Sequence, residues 1–469
     1  MLSSVLFVLA MPPSGINVLG WFCLVPALLA VRKTRFAFGF LGGVALLLFA
    51  GFLTTTGLLY RTKWWEGETG WNYLGFAIFG LAIGGVMAIY SEKKLEHPRV
   101  ALYLAAAAVL GEAILLLYLP AHLALTQYNN WPVVRIASIG GIWMVSFFVW
   151  LANLLIAEAF SKRNWMLGAT ACAACLAIGF LSLPAPTGWM FQHYVKAWPK
   201  SGFRVALIQT EAMDEATLRL LNQEQAKAHR QLSIWPELAG LSLASGGDTT
   251  ILKDLAKLDD QIPFITSFET KRDDGGLPYN TASLFTTEGE SERYAKRKPF
   301  GGERNERSAG SKPLIVNLKT DGYTVPIGMT ICFDTCFPHI MRELANSGEI
   351  WFIASPTLDP IGRHGSLQAI HASYLPFRAA EMGIPIGRAD ITAWSMAVDH
   401  TGQIQAQAGI GTEEVLRPHI NIGERPTFYK SWGDWWLYVC GVIALIGLGE
   451  SFRKGKQEAE SERKDEPLS

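Results

Sequence analysis

The sequence predicts a multi-span α-helical membrane domain over residues 1–185, joined to a packed α/β domain over residues 200–430. A C-terminal transmembrane helix over 432–451 and a charged cytoplasmic tail over 452–469 complete the chain. Three observations predict this architecture. The chain is 50% hydrophobic and only 17% charged, too apolar for an ordinary soluble enzyme of 469 residues. The apolar residues concentrate before residue 185, in runs long enough to cross a bilayer core of about 30 Å. Between 200 and 430, short apolar strands alternate with helices and hairpins, the pattern of packed α/β layers. The formal net charge is zero, which leaves no basic footprint for nucleic acid.

The first 31 residues are apolar but broken at Pro12-Pro13-Ser14-Gly15, giving either one kinked span or a tight hairpin of two short helices. No basic n-region or Ala-x-Ala cleavage site marks a signal peptide. Apolar runs over 37–60, 72–91, 100–126, 133–160 and 164–184 follow, with a last one over 432–449. Basic residues set their orientation. Arg32, Lys33 and Arg35; Lys93, Lys94 and Arg99; Lys162 and Arg163; and Arg453, Lys454 and Lys456 all fall on one side. The positive-inside rule makes that side cytoplasmic, with Arg61 and Lys63 weakly opposed. The loops at Trp64-Trp65 and Tyr128–Trp131 then lie outside, as does 185–431 by parity, in the periplasm of a Gram-negative-type cell. Intramembrane carboxylates are costly. Glu158 sits near a span end and reaches the interface, whereas Glu112 lies deeper and is a candidate for facing a functional cavity. The small residues of Ala137-Ser-Ile-Gly-Gly141 suit close helix packing. The six cysteines (Cys23, Cys172, Cys175, Cys332, Cys336, Cys440) form neither a disulfide framework nor a spaced metal site. Cys172 and Cys175 read as packing residues of an apolar helix.

In the α/β part, Phe203–Gln209, Leu232–Glu237, Pro263–Phe268, Tyr279–Thr286, Val325–Ile331, Glu349–Ser355 and Ile384–Arg388 read as strands. Residues 214–230, 249–259, 338–347 and 366–382 read as helices, the last despite Pro376. Trp394–Val398 and Gln403–Ala408 form a hairpin around Asp399-His-Thr-Gly402. The stretch Pro326-Ile-Gly-Met-Thr-Ile-Cys-Phe-Asp-Thr-Cys-Phe-Pro338 ends a buried strand at Cys332. A cysteine at such a corner has free backbone N–H groups nearby, which lower a thiol pKa and bind an oxyanion. Glu237 follows Trp-Pro at a strand end, where α/β active sites collect. Tyr294-Ala-Lys296-Arg-Lys298-Pro-Phe-Gly-Gly-Glu303 is a basic run closing in glycines. Each alone has an ordinary explanation: a core cysteine, a turn carboxylate, a solvated loop. Together they supply a base for the thiol proton, a cation for an oxyanion and a nucleophile. No histidine has a base role by spacing, although His371 lies on the helix after the nucleophile.

These residues resemble the nitrilase, or carbon–nitrogen hydrolase, superfamily, whose Glu-Lys-Cys triad sits on an α-β-β-α sandwich. With its membrane layout, the whole chain resembles the apolipoprotein N-acyltransferase family, inner-membrane enzymes with a periplasmic nitrilase-like domain before the last span. Trp235-Pro-Glu237 matches that family's Trp-Pro-Glu. Tyr294-Ala-Lys296 with Pro299-Phe-Gly301 matches Tyr-x-Lys…Pro-Phe-Gly-Glu, and Cys332-Phe-Asp334…Phe337-Pro338 matches Cys-Tyr-Glu…Phe-Pro. His371 with Arg378-Ala-Ala-Glu381-x-Gly383, and Gly141…Ser146-Phe147…Asn153, match as well. The resemblance implies Cys332 as nucleophile, Glu237 as general base and Lys296 as oxyanion stabiliser. It implies Glu303 as an auxiliary carboxylate, with Asp334 in place of the family's second Glu, and gives Cys336 no catalytic position. It further implies no cofactor or metal, a phospholipid acyl donor, a lipoprotein or other amine acceptor, and a monomer integral to the membrane.

The chain also departs from the family pattern. Two residues are missing between Lys298 and Pro299, which makes Lys298 a competitor for the place of Lys296; strand alternation puts both on one face. Asp334 is one methylene shorter than Glu. Ser355-Pro-Thr-Leu-Asp-Pro-Ile-Gly362 replaces the family's Asn-Asp-x-Trp-Phe-Gly, and Arg388-Ala-Asp-Ile-Thr-Ala393 replaces Arg-x-x-Asn-Thr-Gly. These loops flank the family's active site, so the alternative is a membrane-tethered amidase with a different acceptor. A third class is a binding factor that kept the fold, against which stand the intact Glu, Lys and Cys.

Overall fold

A computed structural model describes residues 1–32, 34–55, 69–92, 98–115, 122–162, 202–320, 322–359 and 365–465, with 166 and 173 as isolated positions. Several features anticipated above lie outside these residues. They include Lys33, Arg61, Lys63, Trp64, Trp65, Lys93, Lys94 and Arg163, the side chains of Lys162, Lys454 and Lys456, nearly all of the 164–184 run with Cys172 and Cys175, and Pro360–Gly362.

The N-terminal unit is a broken hairpin: α1 (Leu2–Ala10), α2 (Asn17–Gly20) and α3 (Val25–Val31). Longer apolar helices follow as α4 (Phe36–Thr55), α5 (Thr69–Glu92), α6 (Pro98–Leu115), the short α7 (Trp131–Val134) and α8 (Ala137–Lys162). Helices α4 and α5 meet through glycines: a Cβ on Gly43 would stand 2.5 Å from the Gly84 Cα, so only glycine permits this approach. The apolar run 100–126 is not one helix, because Leu123–Gln127 forms a separate, buried 3₁₀ turn. Glu112 explains that turn. Its carboxylate accepts from the Leu123 N–H (3.0 Å), Trp150 Nε1 (2.9 Å) and Ser146 Oγ, so it is a satisfied packing group rather than the wall of a cavity. Glu158 likewise takes a bidentate pair from Arg32, both contacts at 3.2 Å. Among the described residues, Ala137–Ser161 and Trp435–Arg453 are long and apolar enough to cross a membrane.

The second half is built on two sheets. The first runs β13-β1-β2-β3-β4-β5, from β1 (Phe203–Gln209), β2 (Leu232–Ile234), β3 (Phe264–Thr270), β4 (Tyr279–Thr286), β5 (Gly289–Glu290) and β13 (Glu414–Leu416), with β6 (Tyr294–Ala295) on β4 and β14 (His419–Ile420) on β1. The second runs β12-β11-β10-β9-β8-β7, from β7 (Ile315–Thr320), β8 (Tyr323–Met329), β9 (Phe352–Pro356), β10 (Ile386–Ala389), β11 (Met396–Val398) and β12 (Ile404–Gln407). The sheets pack face to face. Phe203 meets Phe352 edge-on at 5.5 Å, and Gly387 must be glycine because a Cβ there would lie 2.6 Å from Phe352 and 3.1 Å from Leu207. Helices α9 (Glu215–Lys227) and α10 (Thr250–Ala256) cover the first sheet, where Leu218, Leu252 and Leu255 pack with Trp235, Phe264 and Phe285. Helices α11 (Pro338–Asn346), α12 (Gly365–Ala372) and α13 (Tyr374–Met382) belong with the second sheet. Predicted as one helix, 366–382 breaks at Ser373, which places Pro376 in the first turn of α13, where no intrahelical N–H bond is lost.

The sandwich is seated on α8. Helix α8 kinks at Gly141 (φ 70°), and the freed Ile142 N–H donates to Glu381 Oε1 of α13 at 2.8 Å. After the second sheet, α14 (Phe428–Trp432) places Tyr429 against that glycine. Helix α15 (Trp435–Asp465) returns alongside, with Trp435 Nε1 donating to the Ile139 carbonyl at 2.8 Å. The helix runs on through most of the charged tail. A Cβ on Gly141 would lie 2.4 Å from Tyr429 in a left-handed backbone conformation. Gly141→Ala is therefore expected to cost about 1–3 kcal/mol and to lower the thermal unfolding midpoint. Gly85→Ala, where a Cβ meets nothing within 4 Å, is the neutral control.

Candidate active site

Three backbone corners aim three side chains at one place. The first follows β2. Trp235 is fully buried and stacks on Phe264 with ring centroids 4.1 Å apart, and its backbone N–H donates to the Ile265 carbonyl at 2.9 Å. Leu238 takes a left-handed conformation (φ 61°), its N–H held by Ser267 Oγ at 2.6 Å. The turn between them fixes Glu237, which is buried. Its Oε2 accepts from the Leu358 N–H (2.9 Å) and its Oε1 from Asn280 Nδ2 (2.6 Å).

The second corner follows β6. Its backbone stays tied to β4 for one residue more, through the Lys296 N–H and the Asn280 carbonyl at 2.8 Å. Lys296 Nζ then donates to Glu237 Oε1 at 2.8 Å and to Glu303 Oε2 at 2.7 Å. Glu303 sits on a 3₁₀ turn (Gly301–Asn305) and also accepts from the Phe300 N–H at 3.0 Å. Strand alternation does not carry through to Lys298, because the strand closes at Ala295. The Lys298 N–H is spent on Asp334 at 2.8 Å, and its Nζ lies 5.2 Å above the Phe337 ring.

The third corner holds Cys332. Strand β8 ends at Met329, two residues earlier than Ile331, and a 3₁₀ turn over Cys332–Cys336 leads into α11. Cys332 has φ 50°, a conformation that costs a non-glycine residue about 1–3 kcal/mol. Its carbonyl accepts from Thr335 Oγ1 at 3.0 Å and its Sγ faces the Leu358 carbonyl at 4.0 Å. Asp334 does not point at the thiol. Its carboxylate accepts from Tyr294 Oη (2.8 Å) and from the N–H groups of Ile331 (3.2 Å), Arg297 (3.1 Å) and Lys298, clamping the lysine segment to the cysteine turn.

The electrostatics follow from burial. Desolvation pushes the Cys332 thiol well above its ordinary value; the Glu237 charge adds to this and Lys296 offsets part of it. Burial works to lower the Lys296 pKa, but Cys332, Glu237 and Glu303 outweigh it and hold the ammonium well above the ordinary lysine range. Glu303 is raised by burial but held below its ordinary value by the Lys296 charge and hydrogen bond. The resting site is thus a protonated thiol beside a lysine clamped between two carboxylates.

Sequence reasoning missed two parts of this site. Asn280 bridges Glu237 and Glu303 from the middle of an ordinary strand, and nothing in its spacing marks it. On the other side of the thiol lies a buried network of His371, Asp359, Arg388 and Asp390. Cys332, Asp359 and His371 bring metal-ligating atoms within 4.8 Å of one another. Those atoms are already engaged, however: Asp359 and His371 bond each other at 2.6 Å, and the Arg388 guanidinium pairs with the same carboxylate.

A face-to-face double sheet with helices outside is the architecture of carbon–nitrogen hydrolases, and the family model of that description matches residues 216–426. A second family model, described as the apolipoprotein N-acyltransferase N-terminal domain, matches residues 3–155. The chain belongs to the apolipoprotein N-acyltransferase family. It is 26% identical to an apolipoprotein N-acyltransferase of Geobacter metallireducens, over 97% of this chain and 94% of that protein. One from Gloeobacter violaceus is 24% identical over 94% and 91%. Among solved structures, an amidase from Nesterenkonia sp. matches 50% of this chain and 94% of its own, at 21% identity and a TM-score of 0.39.

Proposed function

We propose that the protein transfers a fatty acyl group from a phospholipid to the N-terminal amine of a lipoprotein, through a thioester on Cys332. The observation that carries this reading is the Glu237–Lys296–Glu303 cluster beside a buried, strained cysteine, joined in one chain to an apolar helical half. Glu237 takes the thiol proton as Sγ attacks the ester carbonyl, and Lys296 Nζ stabilises the developing oxyanion. The tetrahedral intermediate collapses to the thioester. The leaving alkoxide of the lysophospholipid takes the proton held by Glu237. In the second half, Glu237 takes a proton from the attacking amine, the thioester carbon–sulfur bond breaks and the amide forms. The thiol is restored with that same proton. Glu303 and Asn280 position Lys296 and Glu237, and Asp334 fixes the lysine segment to the nucleophile turn.

The helical half then lies in the bacterial inner membrane as a multi-pass domain, with the sandwich on the periplasmic face and α15 as the returning span. The apolar side chains of α15, among them Tyr438, Val442, Leu445 and Phe452, are exposed as a lipid-facing helix requires. A water-poor site at a membrane face favours amine over water as acceptor. The test has two readouts. A strain depleted of its own N-acyltransferase should grow when it expresses this chain. The purified protein given phospholipid should gain one acyl mass, discharged by a diacylglyceryl-cysteine peptide and not by water. Discharge to water at the same rate, without rescue of growth, would make it a hydrolase of the same fold instead.

A further inference from the structure

The two segments that depart from the family pattern meet at one place. Asp359 lies in the first and Asp390 in the second, and Arg388 NH2 bonds both carboxylates, the latter at 2.5 Å. Arg388 Nε also donates to the Trp394 carbonyl at 3.2 Å. The guanidinium is fully buried, so the two aspartates fix it and it fixes them. Asp359 passes this order on. Its other oxygen takes His371 Nδ1 at 2.6 Å, and His371 Nε2 lies 3.3 Å from the carbonyl of Cys332. Both ring nitrogens therefore face acceptors, a carboxylate and a carbonyl. A neutral imidazole can donate to only one of them; the imidazolium donates to both. The segment carrying Asp359 also serves the other side of the thiol: the Leu358 N–H donates to Glu237, and the Leu358 carbonyl faces Sγ.

We propose that His371, oriented by Asp359 and Arg388, is a positioning residue for Cys332 that holds the nucleophile's carbonyl and places a third cation, after Lys296 and Arg388, near its sulfur. The left-handed backbone of Cys332 needs such a hold, since Thr335 Oγ1 is the other donor to that carbonyl. The charge assignment agrees with the surroundings. Burial works to lower the imidazole pKa, but Asp359 outweighs it and raises it to about 10. Burial alone would raise the pKa of Asp359, but His371 and Arg388 hold it below its ordinary value. The charged groups around the thiol are then Glu237 and Lys296 on one side, and Asp359, Arg388 and His371 on the other. The imidazolium opposes the burial that keeps the thiol protonated.

The inference rests on Cys332 being the nucleophile, and its test needs neither phospholipid nor lipoprotein. Alkylation of Cys332 by iodoacetamide is followed against pH in the purified full chain, with peptide mass mapping to separate it from the other five cysteines. His371→Gln keeps a donor for the carbonyl but no charge. It should fold, and its alkylation profile should move up by about one to three pH units, the effect of removing a cation at this distance. Asp359→Asn removes an anion that itself raises the thiol together with the one that keeps the ring charged, so it should move the profile up less than His371→Gln does. His371→Ala should also lower the plateau rate. A His371→Gln profile superimposed on the unsubstituted one overturns the proposal, as does a plateau loss without any shift, or a Cys332 that no pH below 10 renders reactive.

Discussion

Cys332→Ala is expected to abolish the acyl-enzyme, while Cys336→Ala retains most of the activity. The two thiols lie four residues apart on one 3₁₀ turn, so proximity does not separate them. Their surroundings do. Cys332 carries the left-handed strain, and its sulfur stands among groups held by the Glu237, Leu358 and His371 hydrogen bonds. Both thiols border the main core cluster, but Cys336 is fully buried, has an ordinary backbone conformation and serves as a small apolar residue. A covalent intermediate needs a nucleophile within reach of both the base and the oxyanion donor, and no alanine can carry it. Intact-mass measurement after incubation with phospholipid should show the acyl adduct on the unsubstituted and Cys336→Ala proteins and none on Cys332→Ala. An adduct that survives Cys332→Ala and vanishes in Cys336→Ala would place the nucleophile one turn too early in the present reading.

How much of this was legible in the sequence depends on the range of the interaction involved. Strands β1 and β4 fall on the predicted residues, because bounded apolar runs between turn residues leave them little freedom. Glu237 and Cys332 stood out because each follows a bounded apolar run, whereas Lys296 stood out only within a basic run, since β6 is two residues long. The edge strand β7 was not predicted. Its Ile-Val-Asn-Leu-Lys-Thr alternates only weakly, and its antiparallel partner β8 supplies what the local pattern lacks. The membrane carboxylates were legible as anomalies but not as solved ones: the partners of Glu112 lie 11 to 38 residues away. The altered loops were read as a possible change of substrate. In space they assemble one buried ionic network, in which Asp359 and Asp390 share Arg388 across 29 and 2 residues. No spacing rule along a chain encodes that meeting, since it depends on β9 and β10 lying parallel and adjacent.

Lys296→Ala should slow acyl-enzyme formation by about a hundred- to thousand-fold, the worth of one oxyanion donor at roughly 3–4 kcal/mol. Lys298→Ala should change it little. Both lysines fit the motif spacing, and if β6 had continued they would share a face. It ends at Ala295, and the two side chains part. Lys296 is buried, with Nζ at 2.8 Å and 2.7 Å from two carboxylates, so its position is fixed before substrate arrives. The Lys298 ammonium rests over Phe337 and touches neither carboxylate in the site. A second loss accompanies the first. Without Lys296, Glu237 and Glu303 are left joined through Asn280, with Arg307, 3.9 Å from Glu303, as the remaining cation to offset their repulsion. Lys296→Ala should therefore lose the ordering of Glu237 as well as oxyanion stabilisation, and Glu303→Gln in the same background should restore part of the rate by removing the repulsion. Single-turnover acylation rates on the purified variants decide between the lysines. A greater loss at Lys298 would shift the oxyanion donor two residues along the chain and leave the buried lysine a structural ion pair.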